Sequence, residues 1–143
     1  MPARPFGQSK YNANVLQIED LIGYAYKFSL LLPVTEKGRS IFSSEEEDKL
    51  RTLFEKDFGG YTCTKGVTHP LVTGGYIDKT GTPVTNEHTR FEVYAKPTES
   101  TTTYFKELEK NLIKYSKNII TKRVEDYEGE KKILIELTTV KLL

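Results

Sequence analysis

Hydrophobic residues recur along the chain with either a strand-like or a helical spacing. A spacing of two residues predicts the strands. In YKFSLLLPV, residues 26–34, side chains for a buried face alternate with side chains for the other face. Tyr26, Phe28, Leu30 and Leu32 form the expected core set, and Lys27, Ser29 and Leu31 fall opposite. The same reasoning predicts a hairpin from about Val67 to Ala95 and a last strand in EKKILIELTTVKLL, residues 130–143.

One segment with helical spacing has clear signals at both ends. SSEEEDKLRTLFEKDFGG, residues 43–60, carries a serine cap, a glutamate three residues later and a glycine stop. The candidates are Ser43 or Ser44, Glu46 or Glu47, and Gly59 or Gly60. The expected buried stripe of this helix is Leu50, Leu53, Phe54 and Phe58.

Two further helices are predicted from apolar spacing. The longer one follows KPTES, residues 96–100, and its expected buried side is Phe105, Leu108, Leu112, Tyr115 and Ile119. The shorter one spans residues 12–24, with Val15, Ile18, Leu21 and Ile22 at helical positions. Residues 1–10 are expected to be a flexible lead-in, and residues 11–143 a single α+β domain.

From residue 26 onward, this order of elements resembles the split βαβ, or ferredoxin-like, arrangement. The resemblance is one of architecture, so no functional residue is carried over from any family. It implies a four-stranded antiparallel βαββαβ sheet with both long helices on one face. Many domains of this shape, such as the dimeric α+β barrels, pair sheet to sheet and enclose a ligand pocket. The free face would be polar, covered by the N-terminal helix, or buried against a second copy.

The outgoing arm of the hairpin carries a row of reactive side chains on that free face. Phe91, Val93 and Ala95 are the natural core set, which leaves His88, Arg90, Glu92 and Tyr94 on the other side. Together they offer a proton shuttle, a cation for a carboxylate or phosphate, a carboxylate and a phenol. The alternative interpretation is a solvated face on which Arg90 and Glu92 pair across the sheet.

Four more side chains are predicted ligand contacts on the free face: Lys27, Ser29, His69 and Tyr76. The place of His69 depends on the hairpin register. If Gly81 closes a turn in which Asp78 pairs with Thr82, His69 lies opposite Phe91 on the helix-covered side. A bulge at Gly74–Gly75 would instead bring His69 to the free face beside His88.

Charge and composition narrow the classes of partner. The 21 basic and 20 acidic residues leave a net charge of +1, so no global field favours nucleic acid or an anionic membrane. One helix does carry a lysine stripe, at Lys106, Lys110, Lys114 and Lys117. It is either a contact surface for a protein or nucleic acid or, as the intervening glutamates favour, a solvated helix face.

The cysteine and histidine counts bound the chemistry further. A single cysteine, Cys63, excludes an intrachain disulfide, and two histidines without clustered partners predict no metal site. No cofactor motif is present in the sequence. The absence of a signal peptide or a long apolar run leads us to expect a cytoplasmic protein without a membrane segment.

These observations support three hypotheses. The first is a small cytoplasmic ligand-binding or regulatory module for a small anion, which forms a homodimer through its free sheet face. The second is a metal-independent phosphodiesterase, nuclease or isomerase, with His88 as general acid/base, Arg90 as anion clamp, and Glu92 or Tyr94 as orienting group. The third is an adaptor that binds a protein or nucleic acid through the Lys106–Lys117 helix.

Overall fold

The chain folds as a mixed α+β structure with one antiparallel sheet and two long helices. This computed structural model describes residues 23–36, 38–64, 72–77, 80–127, 129 and 133–142. The strands in these ranges are β1 Gly23–Glu36, β2 Arg39–Ser40, β3 Thr62–Thr64, β4 Val72–Ile77, β5 Pro83–Ala95 and β6 Ile135–Leu142. The helices are α1 Ser44–Phe58 and α2 Glu99–Tyr115, and α2 continues through a π-helical turn, Ser116–Ile120, into the short α3, Thr121–Arg123.

Two long strands, β1 and β5, form the centre of the sheet. They pair antiparallel along most of their length, with Phe28 opposite Val93 and Leu30 opposite Phe91. On the other edge of β1 lie β6 and the short β2, and on the other edge of β5 lie β3 and β4. All of these pairs are antiparallel. The strand order across the sheet is β6, β1, β5, β4; the short β2 pairs with β1 on the same edge as β6, and the short β3 pairs with β5 on the same edge as β4.

The sheet differs from the predicted one in its number of strands. Of the incoming arm of the hairpin, expected as one strand from about Val67, the structure describes Val72–Ile77 as the strand β4. An additional short strand that the pattern did not predict, β3, precedes this arm. The loop after β1 contains the two-residue β2, which pairs back on Thr35 and Glu36. The predicted N-terminal helix lies mostly outside the described residues, but its last two positions, Gly23 and Tyr24, belong to β1 because they pair with β6.

The core fills the space between the sheet and the two long helices. Most members of the predicted apolar sets of β1, α1 and β5 are buried: Phe28, Leu30, Leu32, Leu50, Leu53, Phe54, Phe58, Phe91, Val93 and Ala95. Tyr26 is only partly buried and packs against this core. Aromatic rings connect the layers, since Phe28 of β1 stacks on Phe105 of α2 with ring centroids 3.9 Å apart. Phe54 of α1 meets Phe91 of β5 edge-on at 5.8 Å. Both helices therefore cover the same face of the sheet.

The ends of α1 follow the sequence signals. Ser43 is the N-cap, its hydroxyl accepts a hydrogen bond from the backbone N–H of Glu46, and the Glu46 carboxylate accepts one from the backbone N–H of Ser43. Gly59 ends the helix with φ 82°, a left-handed conformation that suits glycine. The structure thus selects Ser43, Glu46 and Gly59 from the pairs that the sequence left open.

The second helix departs from its expected phase after Tyr115. Ile119 was predicted to be buried, but it is 40% exposed, and the fully buried residues are Ser116 and Ile120. The π-helical turn Ser116–Ile120 accounts for this error, because a wider turn rotates the following side chains relative to an α-helix. The apolar pattern alone does not show where such a turn occurs.

The hairpin register resolves part of the question about His69. Pairing runs regularly from Val72 opposite His88 to Ile77 opposite Pro83, so no bulge occurs at Gly74–Gly75. Gly81 has φ 82°, as the predicted turn requires. The residue opposite Phe91 on this edge of β5 is Cys63 of β3. His69 itself lies outside the described residues.

Candidate functional site: a polar groove on the free sheet face

The free face of the sheet is built by alternation along β1 and β5. In β5, Thr89, Phe91, Val93 and Ala95 are buried on the helix side. The side chains between them, His88, Arg90, Glu92 and Tyr94, therefore point to the opposite face. The same alternation in β1 places Lys27, Ser29 and Leu31 on this face, across from β5.

Three adjacent strands form a groove of about 230 Å³ on this face. Its lining residues come from β1, β5 and β6: Lys27, Ser29, Leu31, Arg90, Glu92, Glu136 and Thr138. The strand registers explain the grouping, since Ser29 stands opposite both Glu92 and Glu136. Of the eight predicted site residues, the structure brings Lys27, Ser29, Arg90 and Glu92 together here.

The groove contains two cationic side chains and two carboxylates, and the two cations differ in whether they form an ion pair. The Nζ atom of Lys27 lies 3.3 Å from Oε2 of Glu92, and both side chains are partly exposed. This contact across β1 and β5 replaces the expected pairing of Arg90 with Glu92. Within the described part of the chain, no ion pair or hydrogen bond engages the guanidinium of Arg90. Arg90 therefore remains available to bind an anion from solution.

His88 shares the face of the row but stands apart from the groove. It lies between Pro33 of β1 and Val72 of β4, and it is not among the lining residues. Its Nδ1 atom is buried and meets no hydrogen-bond partner among the described residues. Burial lowers the pKa of His88 below 6.5, because a charged imidazole is poorly solvated there. A general acid/base role for His88 stays a hypothesis from the sequence.

The remaining predicted residues have different places. Tyr94 is 44% exposed and lines a second cavity with Glu92, next to the groove. Tyr76 lies in β4 with its backbone opposite Val84, and its side chain is outside what the structure describes, as is all of His69. The four stripe residues, Lys106, Lys110, Lys114 and Lys117, are exposed along the α2 helix and its π-turn, as is Glu107.

Sequence reasoning missed a buried carboxylate on the helix side. Glu46 is 3% exposed, and Arg123 donates to its Oε2 at 3.0 Å and to its Oε1 at 2.8 Å. The hydroxyl of Tyr115 also donates to Oε2. Burial alone would raise the pKa of Glu46, but the hydrogen bonds from Arg123, Ser43 and Tyr115 outweigh it and lower this pKa. Burial and the Glu46 carboxylate raise the pKa of Tyr115 to about 12.

No sequence signal links Glu46 to Arg123, because 77 positions separate them. Two more buried carboxylates accept hydrogen bonds from hydroxyls across the core. Thr89 donates to Glu47 at 2.6 Å and Tyr104 donates to Asp57 at 2.6 Å. These contacts join α1 to β5 and α2, so they position the helices rather than form an accessible site.

Other site types find little support in the described residues. There, no group of three or more His, Cys, Asp or Glu side chains is arranged to hold a metal ion. Cys63 is partly buried, with its Sγ atom 3.9 Å from Nη2 of Arg51. Among the helices that the structure describes, none is long and apolar enough to cross a membrane.

Comparisons of the sequence with family models and curated proteins, and of the fold with solved structures, found no match. The function is therefore argued from the groove itself.

Proposed function

We propose that this protein is a small-ligand-binding module whose ligand presents an anionic group to the groove on the free sheet face. The observation that carries the proposal is the guanidinium of Arg90, which lines a polar groove without an ion-pair partner in the described residues. The ammonium of Lys27 and the hydroxyls of Ser29 and Thr138 line the same groove. Such groups bind a carboxylate or a phosphate by charge-assisted hydrogen bonds.

The groove also restricts the kind of ligand. Its volume of about 230 Å³ suits a small metabolite better than a drug-sized molecule. Glu92 and Glu136 would repel a second anionic group but accept hydrogen bonds from hydroxyl or amino groups. The proposed ligand is therefore a small carboxylate or phosphate ester that also carries hydrogen-bond donors.

We further propose that the fold is ferredoxin-like and that the protein self-associates. We infer a ferredoxin-like arrangement because the order β6, β1, β5, β4 corresponds to the order 4, 1, 3, 2 of a split βαβ sheet. The free face, which neither α1 nor α2 covers, would then close on a second copy and complete the ligand site. We propose, as the sequence suggested, that this module is a small cytoplasmic homodimer.

Inorganic phosphate is the simplest probe of the groove, and isothermal titration calorimetry measures its binding. We expect Arg90→Gln to weaken phosphate binding at least tenfold, since a hydrogen bond to a charged group contributes about 1.5–3 kcal/mol. Lys110→Gln is the matched control, because it removes one positive charge from an exposed position on α2. Equal phosphate affinity in the Arg90 variant and the unmodified protein, or no phosphate binding by either, would contradict the proposal.

A further inference from the structure

A second cavity lies beside the groove, where the edge of the sheet meets the end of α1. We call it the aromatic notch; its volume is about 240 Å³, and it is lined by Phe58, Gly59, Gly60, Tyr61, Thr62, Glu92 and Tyr94. It forms because β3 reaches along β5 only as far as the pair Thr62–Glu92. The space beside Gly60 is open, since a Cβ atom there would meet nothing within 4 Å.

The rings of the notch are held in place by different means. Phe58 packs edge-on against Tyr104 with ring centroids 4.8 Å apart, and Tyr61 packs edge-on against Phe91 at 6.1 Å. Both rings are thereby fixed by the core. Tyr94 is 44% exposed, so its ring is accessible from the open side of the sheet. A ligand in the notch would meet rings whose positions are largely set before it binds.

The electrostatics of the notch favour a cation. The exposed ring of Tyr94 attracts an ammonium group, and Glu92 adds a carboxylate whose charge Lys27 partly compensates from the groove side. The helix α1 ends at Phe58 with a cap at Gly59, so the negative end of its dipole and its last carbonyl groups lie at the notch. No basic side chain is among the described residues that line it. The groove beside it differs, because Lys27 and Arg90 lie there.

We propose that the aromatic notch binds a substituted ammonium group, and that the ligand of this protein is a small zwitterion. Its ammonium group lies at Tyr94 and its anionic group lies at Arg90, with Glu92 as the wall that both cavities share. The anionic half rests on the proposed function above, whereas the cationic half rests on the notch alone. The occupant is a free small molecule, because the two cavities are small and adjoin each other through one side chain.

Three probes test the notch, the groove and their joint use separately, and calorimetry measures the binding of each probe to the full chain. Tetramethylammonium tests the notch alone, inorganic phosphate tests the groove alone, and phosphocholine tests both together. We expect phosphocholine to bind more tightly than either single-charge probe, because one molecule then occupies both cavities. Phosphatidylcholine vesicles serve as the test of a membrane source for the same headgroup, and we expect them not to retain the protein.

Variants of exposed or partly exposed residues give the matched comparisons. Tyr94→Leu keeps an apolar side chain but removes the ring, so tetramethylammonium should bind at least about fivefold more weakly, with phosphate binding unchanged. Tyr24→Leu is the control, because Tyr24 is a 59% exposed tyrosine of the same sheet that lines neither cavity. Glu92→Gln should shift the two probes in opposite directions: weaker tetramethylammonium binding, and tighter phosphate binding as Lys27 loses its partner.

The outcomes distinguish the two proposals. If phosphate binds through Arg90 but tetramethylammonium does not bind, the notch proposal is overturned and the proposed function stands. If tetramethylammonium binds through Tyr94 but phosphate does not bind, the notch stands and the anionic groove is overturned. If phosphocholine binds no more tightly than the better single probe, the zwitterion is overturned. Retention on vesicles without binding of soluble phosphocholine would overturn the free small molecule.

Discussion

At the scale of single residues, the buried Glu46 carboxylate accepts hydrogen bonds from three residues, Ser43, Tyr115 and Arg123. It is a capping residue of α1 and at the same time the acceptor for Arg123, so it joins the start of α1 to the end of the second helical segment. Its removal would take away the carboxylate that accepts from Arg123 and Tyr115, while Arg123 would keep its hydrogen bond to the carbonyl of Ile41. Because Arg123 is about two-fifths exposed, water partly compensates for that loss.

We expect Glu46→Gln to lower the free energy of unfolding at pH 7 by about 2 kcal/mol, as urea denaturation measures it. The pKa of Glu46 is lowered in the folded state, so its contribution is present above its ordinary value of 4.5 and is lost as pH falls through the folded-state pKa. The variant should therefore lose less stability than the unmodified protein below pH 4.5. Glu45→Gln, at an exposed neighbour, is the control. Equal effects of the two substitutions would show that the buried pair does not stabilise the fold.

At the scale of elements, local signals predict the ends of α1 because the groups that satisfy its backbone lie within four residues of each other. The hydroxyl of Ser43 accepts from the N–H of Glu46, and Gly59 donates its N–H to the carbonyl of Glu55 at 3.0 Å. The helical phase of the second segment, which comprises α2, its π-helical turn and α3, is not set by such local hydrogen bonds. Its π-helical turn brings Ser116 and Ile120 into the core instead of Ile119, and the apolar spacing fits either phase.

The capping serine has a direct test. We expect Ser43→Ala to destabilise the protein by about 1 kcal/mol, since the first turn of α1 would lose a side-chain acceptor. Ser44→Ala is the control, because Ser44 is the exposed first residue of the helix and alanine suits that position. Thermal or urea unfolding of both variants measures the difference. A larger loss for the Ser44 variant would show that the cap has been assigned to the wrong serine.

At the scale of the whole molecule, one face of the sheet is covered by α1 and α2, and the other carries the groove and part of the notch wall. Light scattering tests the proposed closure of this face on a second copy. We expect the unmodified protein to have the mass of a dimer at micromolar concentrations. We expect the Ser29→Arg variant to have the mass of a monomer, because it places a bulky charge at the centre of the face. Thr103→Arg, at an exposed position of α2, should leave the dimer intact. A strict monomer in the unmodified protein would exclude the homodimer.

The alternation in β1 and β5 was enough to predict which side chains lie on the free face, because the period of a strand is a property of its backbone. That set includes Lys27, Ser29, Arg90 and Glu92. The sequence could not predict that Glu136 and Thr138 would complete the groove, since strand neighbours and register depend on how β6 pairs with β1. Nor could it place His88 outside the groove, or predict that Glu92 would pair with Lys27 instead of Arg90.

The sequence by itself determined the α+β class, the buried faces of the strands, and the start and end of α1 to within one residue. These features follow from side-chain periodicity and from hydrogen bonds between residues close in the chain. Only the tertiary structure decided the additional strand β3, the phase after Tyr115, the pairing of the buried Glu46 with Arg123, and the adjacency of groove and notch at Glu92. These features depend on contacts between segments that are distant in the sequence, and packing sets the energies of such contacts.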